Sequence, residues 1–198
     1  MAHMQPLPAD THPELADDFQ IFVEILGFVP NSLLTMQRSP DMVKGFGVLT
    51  KAVMNAEGGV DLGFMRMLAH FCSRAAGCQY CEAHSLVAAQ IHGIPQEKID
   101  ALWDYQTSEH YSDAERVALD FALAAGSVPN NVDQSLMDRM KEHWSEKQIV
   151  HILGAISLYG FLNRWNDSMA TDLEESPKAM GERVLSSGGW DGGKHVSQ

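Results

Sequence analysis

The sequence has little of what marks a secreted or membrane-spanning protein. Its three cysteines are too few and too closely spaced for a secreted disulfide framework. Its longest apolar run, residues 149–162, is interrupted by polar residues and falls short of the roughly 20 residues that span a bilayer. The polar, proline-containing start does not resemble a signal peptide. We therefore expect a cytoplasmic protein that does not enter a membrane.

Basic residues are also scarce. The chain has 14 lysines and arginines against 26 aspartates and glutamates, which gives a net charge of −12. A surface of this charge repels phosphate backbones and anionic lipids, and no dense basic cluster offsets the repulsion. We expect neither a nucleic-acid partner nor a membrane partner.

Apolar residues are plentiful, at 45% of the 198-residue chain, and they recur with helical spacing rather than the alternation of strands. Capping boxes, in which a serine is followed three positions later by glutamate or glutamine, begin at Ser112 and Ser145. The pattern predicts an all-α fold, with about eight helices forming a single bundle-like domain over residues 12–172.

Two segments carry expectations about packing. The helix that starts at Ser145 is apolar nearly all round, which is typical of a helix buried in a core or between subunits. This pattern favours a homo-oligomer. Residues 173–198 lose the helical pattern and become rich in glycine, which predicts a C-terminal tail. Trp190 is isolated within that segment, and we expect it to dock part of the tail onto the domain.

The chemistry-bearing residues are concentrated between Cys78 and His84. Gly77 suits the left-handed position after a helix, so Cys78 and Cys81 are expected in the first turn of the next helix. Residues three apart share a helix face, which brings the two thiols and the imidazole of His84 to one side. The helix N-terminus and the histidine both favour a thiolate and would lower the cysteine pKa. The segment therefore predicts a thiol–disulfide redox site.

Two other interpretations of the cysteines are open. Cys72, Cys78, Cys81 and His84 could form a zinc site, but Cys72 lies inside the preceding helix and a second close pair of ligands is missing. The cysteines could also be inert core residues, which is how we interpret Cys72 beside its apolar neighbours. Neither interpretation explains the spacing as well as a redox couple that requires no metal and no organic cofactor.

The segment Ser73–His84 resembles the cysteine motif of the alkylhydroperoxidase D (AhpD)-like branch of the carboxymuconolactone decarboxylase family. The likeness extends over about residues 41–170, and residues 189–195 resemble the tail of a peroxidase-related subgroup. It implies an AhpD-like all-α fold, homo-oligomers and reduction of peroxides by the cysteine pair. By this resemblance Cys81 attacks the peroxide, Cys78 resolves the product and His84 belongs to a proton relay. The residues alone leave the order open, because helix position favours Cys78 as the lower-pKa thiol and proximity to His84 favours Cys81.

The chain departs from the family pattern at two positions. Arg66 occupies the place where the family relay often has a glutamate, and Tyr80 stands where some members have a histidine between the cysteines. His70 and Glu82 are candidates for the missing relay group. Since an arginine is a poor base, the peroxidase activity could be weak or could serve a different thiol substrate.

The leading hypothesis is a hydroperoxide reductase with an antioxidant role, in which an external dithiol or protein reductant restores the cysteine pair. A lactone decarboxylase that relies on histidine and carboxylate is a second hypothesis, which the cysteine pair disfavours. A third is a non-enzymatic redox sensor, in which the same disulfide alters a partner surface.

Overall fold

The computed structural model describes residues 2–196, which form helices joined by turns and contain no strand. The α-helices are α1 (Ala16–Leu26), α2 (Asn31–Met36), α3 (Pro40–Val53), α4 (Leu62–Ala76), α5 (Gln79–Ile91), α6 (Gln96–Asp100), α7 (Asp113–Gly126), α8 (Gln134–His143), α9 (Glu146–Met169) and α10 (Glu175–Met180). The predicted all-α fold is confirmed. The described chain has ten α-helices instead of about eight because α2, α6 and α10 are too short to show a helical period in the sequence.

Local sequence explains where the longer helices begin. Both predicted capping boxes form: the Ser112 hydroxyl accepts from the backbone N–H of Glu115, and Ser145 accepts in the same way from Gln148. Each N3 side chain in turn accepts from the backbone N–H of its serine. These caps fix the first turns of α7 and α9, the two helices that pack together with α4.

Helix α4 lies at the centre of the domain, where it contacts α5, α7 and α9. Its approach to α7 is unusually close, because Gly126 at the end of α7 lies against the backbone of Cys72. A Cβ atom at Gly126 would stand 2.7 Å from the carbonyl oxygen of Cys72, so any larger residue would push the two helices apart. The tight packing leaves the middle of α4 buried on nearly all sides.

Helix α9, the longest of the described helices, is buried on one face only within this single chain, so the part of the prediction that concerns burial between subunits stays a prediction. One face packs into the core through residues such as Ile152, Ile156 and Tyr159. The opposite face exposes large apolar side chains, with Val150 at 68% exposure and Phe161 at 41%. Within residues 2–196, neither α9 nor any other helix has the length and apolarity needed to cross a membrane.

The C-terminal segment packs on the start of α5. Trp190 is 6% exposed, its indole N–H donates to the carbonyl of Gln79 at 3.0 Å, and its ring lies against Gly181. A backbone hydrogen bond from Leu173 to His195 ties the two ends of the segment together. Residues 173–196, set apart as a tail in the sequence analysis, thus cover the beginning of the helix that carries the cysteines.

Candidate active site

The cysteine segment is shaped by the junction between α4 and α5. Gly77 adopts a left-handed conformation, with φ of 74°, and its N–H bonds to the carbonyl of Arg74. A non-glycine residue would be strained at that φ. The chain then reverses, Cys78 becomes the N-cap of α5, and Cys81 follows in the first turn. The two cysteines therefore lie at the start of α5, as the position of Gly77 in the sequence had predicted.

Both thiols are buried. Cys78 is 0% exposed and Cys81 is 2% exposed, and the two side chains are within hydrogen-bonding reach of each other. The amide of Asn166 on α9 donates to Cys81 Sγ at 3.4 Å. Burial raises the pKa of the Cys81 thiol well above its usual value. The expected lowering of that pKa is therefore not found, because the cost of desolvating the thiolate exceeds what the helix start and the Asn166 amide return.

His84 is held by a carboxylate that sequence reasoning missed. Its Nε2 lies 2.6 Å from the carboxylate of Glu174, just before α10. The second oxygen of Glu174 accepts from the Tyr80 hydroxyl at 3.1 Å and from the backbone N–H of Asn31 at 2.6 Å. The Tyr80 ring also stacks on the His84 ring, with centroids 4.2 Å apart. The Glu174 carboxylate and the Tyr80 ring therefore hold the imidazole in one orientation.

The carboxylate of Glu174 is stabilised in its charged form. Burial acts to raise its pKa, but the charge of His84 and the hydrogen bonds from His84 and Asn31 outweigh burial and lower it. Burial raises the pKa of the Tyr80 hydroxyl well above its ordinary value, so this group acts as a hydrogen-bond donor near neutral pH. The three side chains form one hydrogen-bonded polar cluster.

A cavity of about 80 Å³ opens beside Cys81. Its polar lining includes Cys81, His84, Tyr80, Arg66 and Asn166, whereas Cys78 does not line it. The apolar walls come from α1, α2, α3 and α9, and they include Ile21, Phe22, Ile25, Leu33, Leu158 and Leu162. A volume of this size holds several water molecules. Within the described chain, this cavity gives a ligand a route to the otherwise buried Cys81 sulfur.

Two of the residues suggested as relay groups lie elsewhere. His70 and Glu82 do not line the cavity, and His70 Nδ1 meets the backbone carbonyl of Glu82 at 3.1 Å. Glu82 faces Arg74 at 3.8 Å, and the Arg74 guanidinium stacks on Trp103. Burial lowers the pKa of His70 to about 4 and raises the pKa of Glu82 to about 7. These two groups belong to a separate cluster between α4 and α5.

Cys72 lies in different surroundings from the Cys78–Cys81 pair. Its thiol donates to the carbonyl of Ile156 and accepts from the Asn163 amide, at 3.7 and 3.8 Å, in the contact between α4 and α9. Burial raises its pKa to about 12. No group of three or more histidine, cysteine or acidic side chains within residues 2–196 is placed to hold a metal ion. The structure thus gives Cys72 the surroundings of a core residue.

Comparison with known proteins places the chain in a family. No protein-family model matches it. The debrominase Bmp8 is 33% identical over 91% of this chain and 96% of its own, with a TM-score of 0.85, in a structure of a cysteine-to-alanine variant with 2,3,4-tribromopyrrole. A peroxidase-related protein with an AhpD core, from Ralstonia eutropha JMP134, shares the fold at 20% identity, covering 91% of this chain and 98% of its own with a TM-score of 0.73. The chain belongs to the same family as Bmp8. It shares its fold with the AhpD-like proteins.

A sequence relative is also found. The uncharacterized protein YnjA of Escherichia coli K12 is 31% identical over 93 residues, which is 46% of this chain. The matched region spans about half the length of that relative, 50% of it. The match adds a second protein of similar sequence.

Arg66 and Glu174 differ in their relation to His84. The carboxylate beside His84 comes from Glu174, which follows α9 in the sequence, and not from the position of Arg66. Arg66 lines the same cavity, where its Nη1 donates to the Tyr159 hydroxyl at 2.9 Å. A positive charge therefore lines the cavity at the position where the sequence resemblance had implied a glutamate.

Replacing Glu82 by glutamine is expected to flatten the pH dependence of stability. The folded protein binds the Glu82 proton more tightly than the unfolded chain does, because its pKa rises from 4.5 to about 7. This group therefore lowers the free energy of unfolding as the pH rises through that window, by up to about 3 kcal/mol. Urea denaturation at pH 5 and pH 8 should show a larger loss in the wild type than in Glu82→Gln. The exposed Glu57→Gln serves as control, and equal losses in all three proteins would refute the buried-acid assignment.

Proposed function

We propose that this protein is a dithiol reductase that transfers two electrons from the Cys78–Cys81 pair to a small organic hydroperoxide in the cavity. The observation that carries the proposal is that Cys81 alone of the three cysteines lines that cavity, as does His84, while the neighbouring Cys78 is buried and does not line it. A buried pair of this kind combines one thiol that meets the substrate with one that meets only its neighbour. Apolar walls favour an organic hydroperoxide over hydrogen peroxide.

The proposed reaction has two steps. The Cys81 thiolate attacks the terminal peroxide oxygen, the O–O bond breaks, and the leaving alkoxide takes a proton from His84 to become an alcohol. Cys81 is then a sulfenic acid. The Cys78 thiol attacks its sulfur, releasing water and forming the Cys78–Cys81 disulfide. An external dithiol or protein reductant returns both cysteines to thiols by thiol–disulfide exchange.

Three side chains support formation of the thiolate. Because burial keeps Cys81 protonated at rest, a base and a hydrogen-bond donor are needed to create the anion. Asn166 supplies the donor to the sulfur, and His84 lines the same cavity as a proton acceptor. Glu174 holds the imidazole and provides a counter-charge once the ring carries a proton, in the manner of the third member of a catalytic triad.

Substitution of the cysteines should separate their roles. Cys81→Ser is expected to reduce cumene hydroperoxide turnover by about a thousandfold or more, since the attacking thiolate is lost. Cys78→Ser should complete the first step only and accumulate a sulfenic acid on Cys81 that dimedone traps. Cys72→Ala serves as control and should keep its turnover. Full activity in Cys81→Ser, or dimedone adducts on Cys72, would refute the proposal.

Replacement of Glu174 by glutamine tests the histidine partner. The amide keeps the shape but removes the counter-charge, so kcat/KM for cumene hydroperoxide is expected to fall by about tenfold to a hundredfold. The adjacent Glu175→Gln, an exposed residue, is the matched control and should leave the rate unchanged. If the two variants behave alike, Glu174 has no role in proton transfer.

Reductive dehalogenation of a small halogenated ring is a second candidate, favoured by the 33% identity with the debrominase Bmp8. The same dithiol balances that reaction: the thiolate takes the halogen as a sulfenyl halide, the ring gains a proton, and the second thiol expels halide as the disulfide forms. Bromide release from 2,3,4-tribromopyrrole by the reduced protein, compared with turnover of cumene hydroperoxide, distinguishes the two substrate classes.

We also propose that two or more copies of the chain assemble through the exposed face of α9. Val150, Leu153 and Phe161 lie on that face, and Phe161 stacks on Phe46 of α3, where Val48 and Leu49 are also exposed. Exposed apolar side chains grouped on two packed helices are typical of an interface between subunits. Light scattering should give a mass that is a multiple of 21.9 kDa. Val150→Glu should shift it toward one copy, while Val128→Glu, in the exposed turn before α8, should not. A monomeric wild type would contradict the proposal.

A further inference from the structure

The cavity beside Cys81 contains polar groups that the proposed thiol chemistry does not use. The Nε atom of Arg66 and the hydroxyl of Thr50 are both buried, and neither has a hydrogen-bond partner within residues 2–196. Both side chains line the cavity. Buried donors without partners are rare in folded proteins, because the lost hydration is not replaced. Two such groups facing one cavity indicate a ligand that completes them.

The position of Arg66 separates these groups from the sulfur. Helix α5 lines the cavity with Cys81, His84 and Ala88. The seven residues from Cys81 to Ala88 correspond to roughly 10 Å along the helix axis. Arg66 lies toward the far end of the cavity, because it donates to Tyr159, whereas the amide that donates to Cys81 Sγ belongs to Asn166, seven residues further along α9. A ligand that contacts Arg66 can therefore reach Cys81 with its other end.

The guanidinium also lacks a counter-charge in the cavity. Its Nη1 donates to the hydroxyl of Tyr159, and the cavity lining from α1, α3 and α9 contains no acidic side chain among the described residues. A cation on an apolar wall is stabilised by an anion that accepts from its planar N–H edge, and a carboxylate fits that edge best. Since the chain carries a net charge of −12, attraction of an anion must come from this local group and not from the overall field.

We propose that the cavity selects a small apolar organic molecule with one carboxylate, which accepts hydrogen bonds from Arg66 Nε and Thr50 while the apolar body fills the walls. The reactive end of this molecule then lies at Cys81. This assignment rests on the proposed reductase function only for the identity of the reacting group. The binding preference itself requires no turnover.

Binding of benzoate and benzamide to the reduced protein, measured by calorimetry, tests the assignment. The two probes have the same shape and differ in charge. Benzoate is expected to bind about tenfold to a hundredfold more tightly than benzamide, which is the effect of a hydrogen bond to a charged group. Arg66→Met should remove this preference, through a loss of benzoate affinity that is larger than the loss of benzamide affinity. Arg164→Met, an exposed arginine outside this cavity, is the matched control.

Two further variants guard against misfolding of Arg66→Met. Arg66→Lys should keep part of the benzoate preference, and Thr50→Val should reduce it severalfold. Equal binding of the two probes by the wild type, binding of neither, or a preference that survives Arg66→Met would overturn the assignment. A protein that prefers benzoate but reduces no hydroperoxide would support the carboxylate site and refute only the proposed reaction.

Discussion

The burial of two adjacent thiols at the junction of α4 and α5 is the constraint on which the rest of the site depends. Burial excludes solvent from the Cys78–Cys81 pair and raises the pKa of Cys81. A thiol in that state is a poor nucleophile until other groups act on it. The surrounding structure places the amide of Asn166 on the sulfur, and it places His84, held by Glu174, in the lining of the same cavity. The cavity then decides which molecules reach the sulfur.

The C-terminal segment is part of this arrangement. Glu174 reaches His84 because the chain turns back after α9 and packs α10 on α5. The indole N–H of Trp190 donates to the carbonyl of Gln79, which lies between the two cysteines in sequence. This bond holds the C-terminal segment on the start of α5. The acid that orients the imidazole and the segment that covers the cysteines therefore belong to the same stretch of chain.

Much of the fold could be predicted because its signals are local. Each of these signals depends on a few neighbouring residues: the helical periodicity, the two capping boxes and the glycine before Cys78. The structure contains both capping boxes and the left-handed turn at that glycine. The grouping of Cys81 with His84 follows from spacing on one helix. Glu174 could not be found in this way, because it comes from a segment without a clear pattern that is brought to His84 only by tertiary packing. An acidic residue just before a short helix was the one local signal.

The electrostatics of the site were beyond the sequence for the same reason. A helix start and a histidine predicted a low thiol pKa, but burial by α9 and α4 is a property of the whole fold and reverses the direction. Likewise His70 and Glu82 are close to the cysteines in sequence but face Trp103 and Arg74 instead of the cavity. The sequence predicts which helix carries a residue, whereas the packing of the helices decides which side chains face the cavity.

The central claim is that the cavity-lining thiol and its buried neighbour act as one two-electron couple. The most direct measurement is peptide mass mapping of the fully reduced protein after one equivalent of cumene hydroperoxide, with no reductant present. A two-electron couple should give a Cys78–Cys81 disulfide, an unmodified Cys72 and one equivalent of the alcohol. Three free thiols after complete consumption of the hydroperoxide, or a disulfide that includes Cys72, would contradict it.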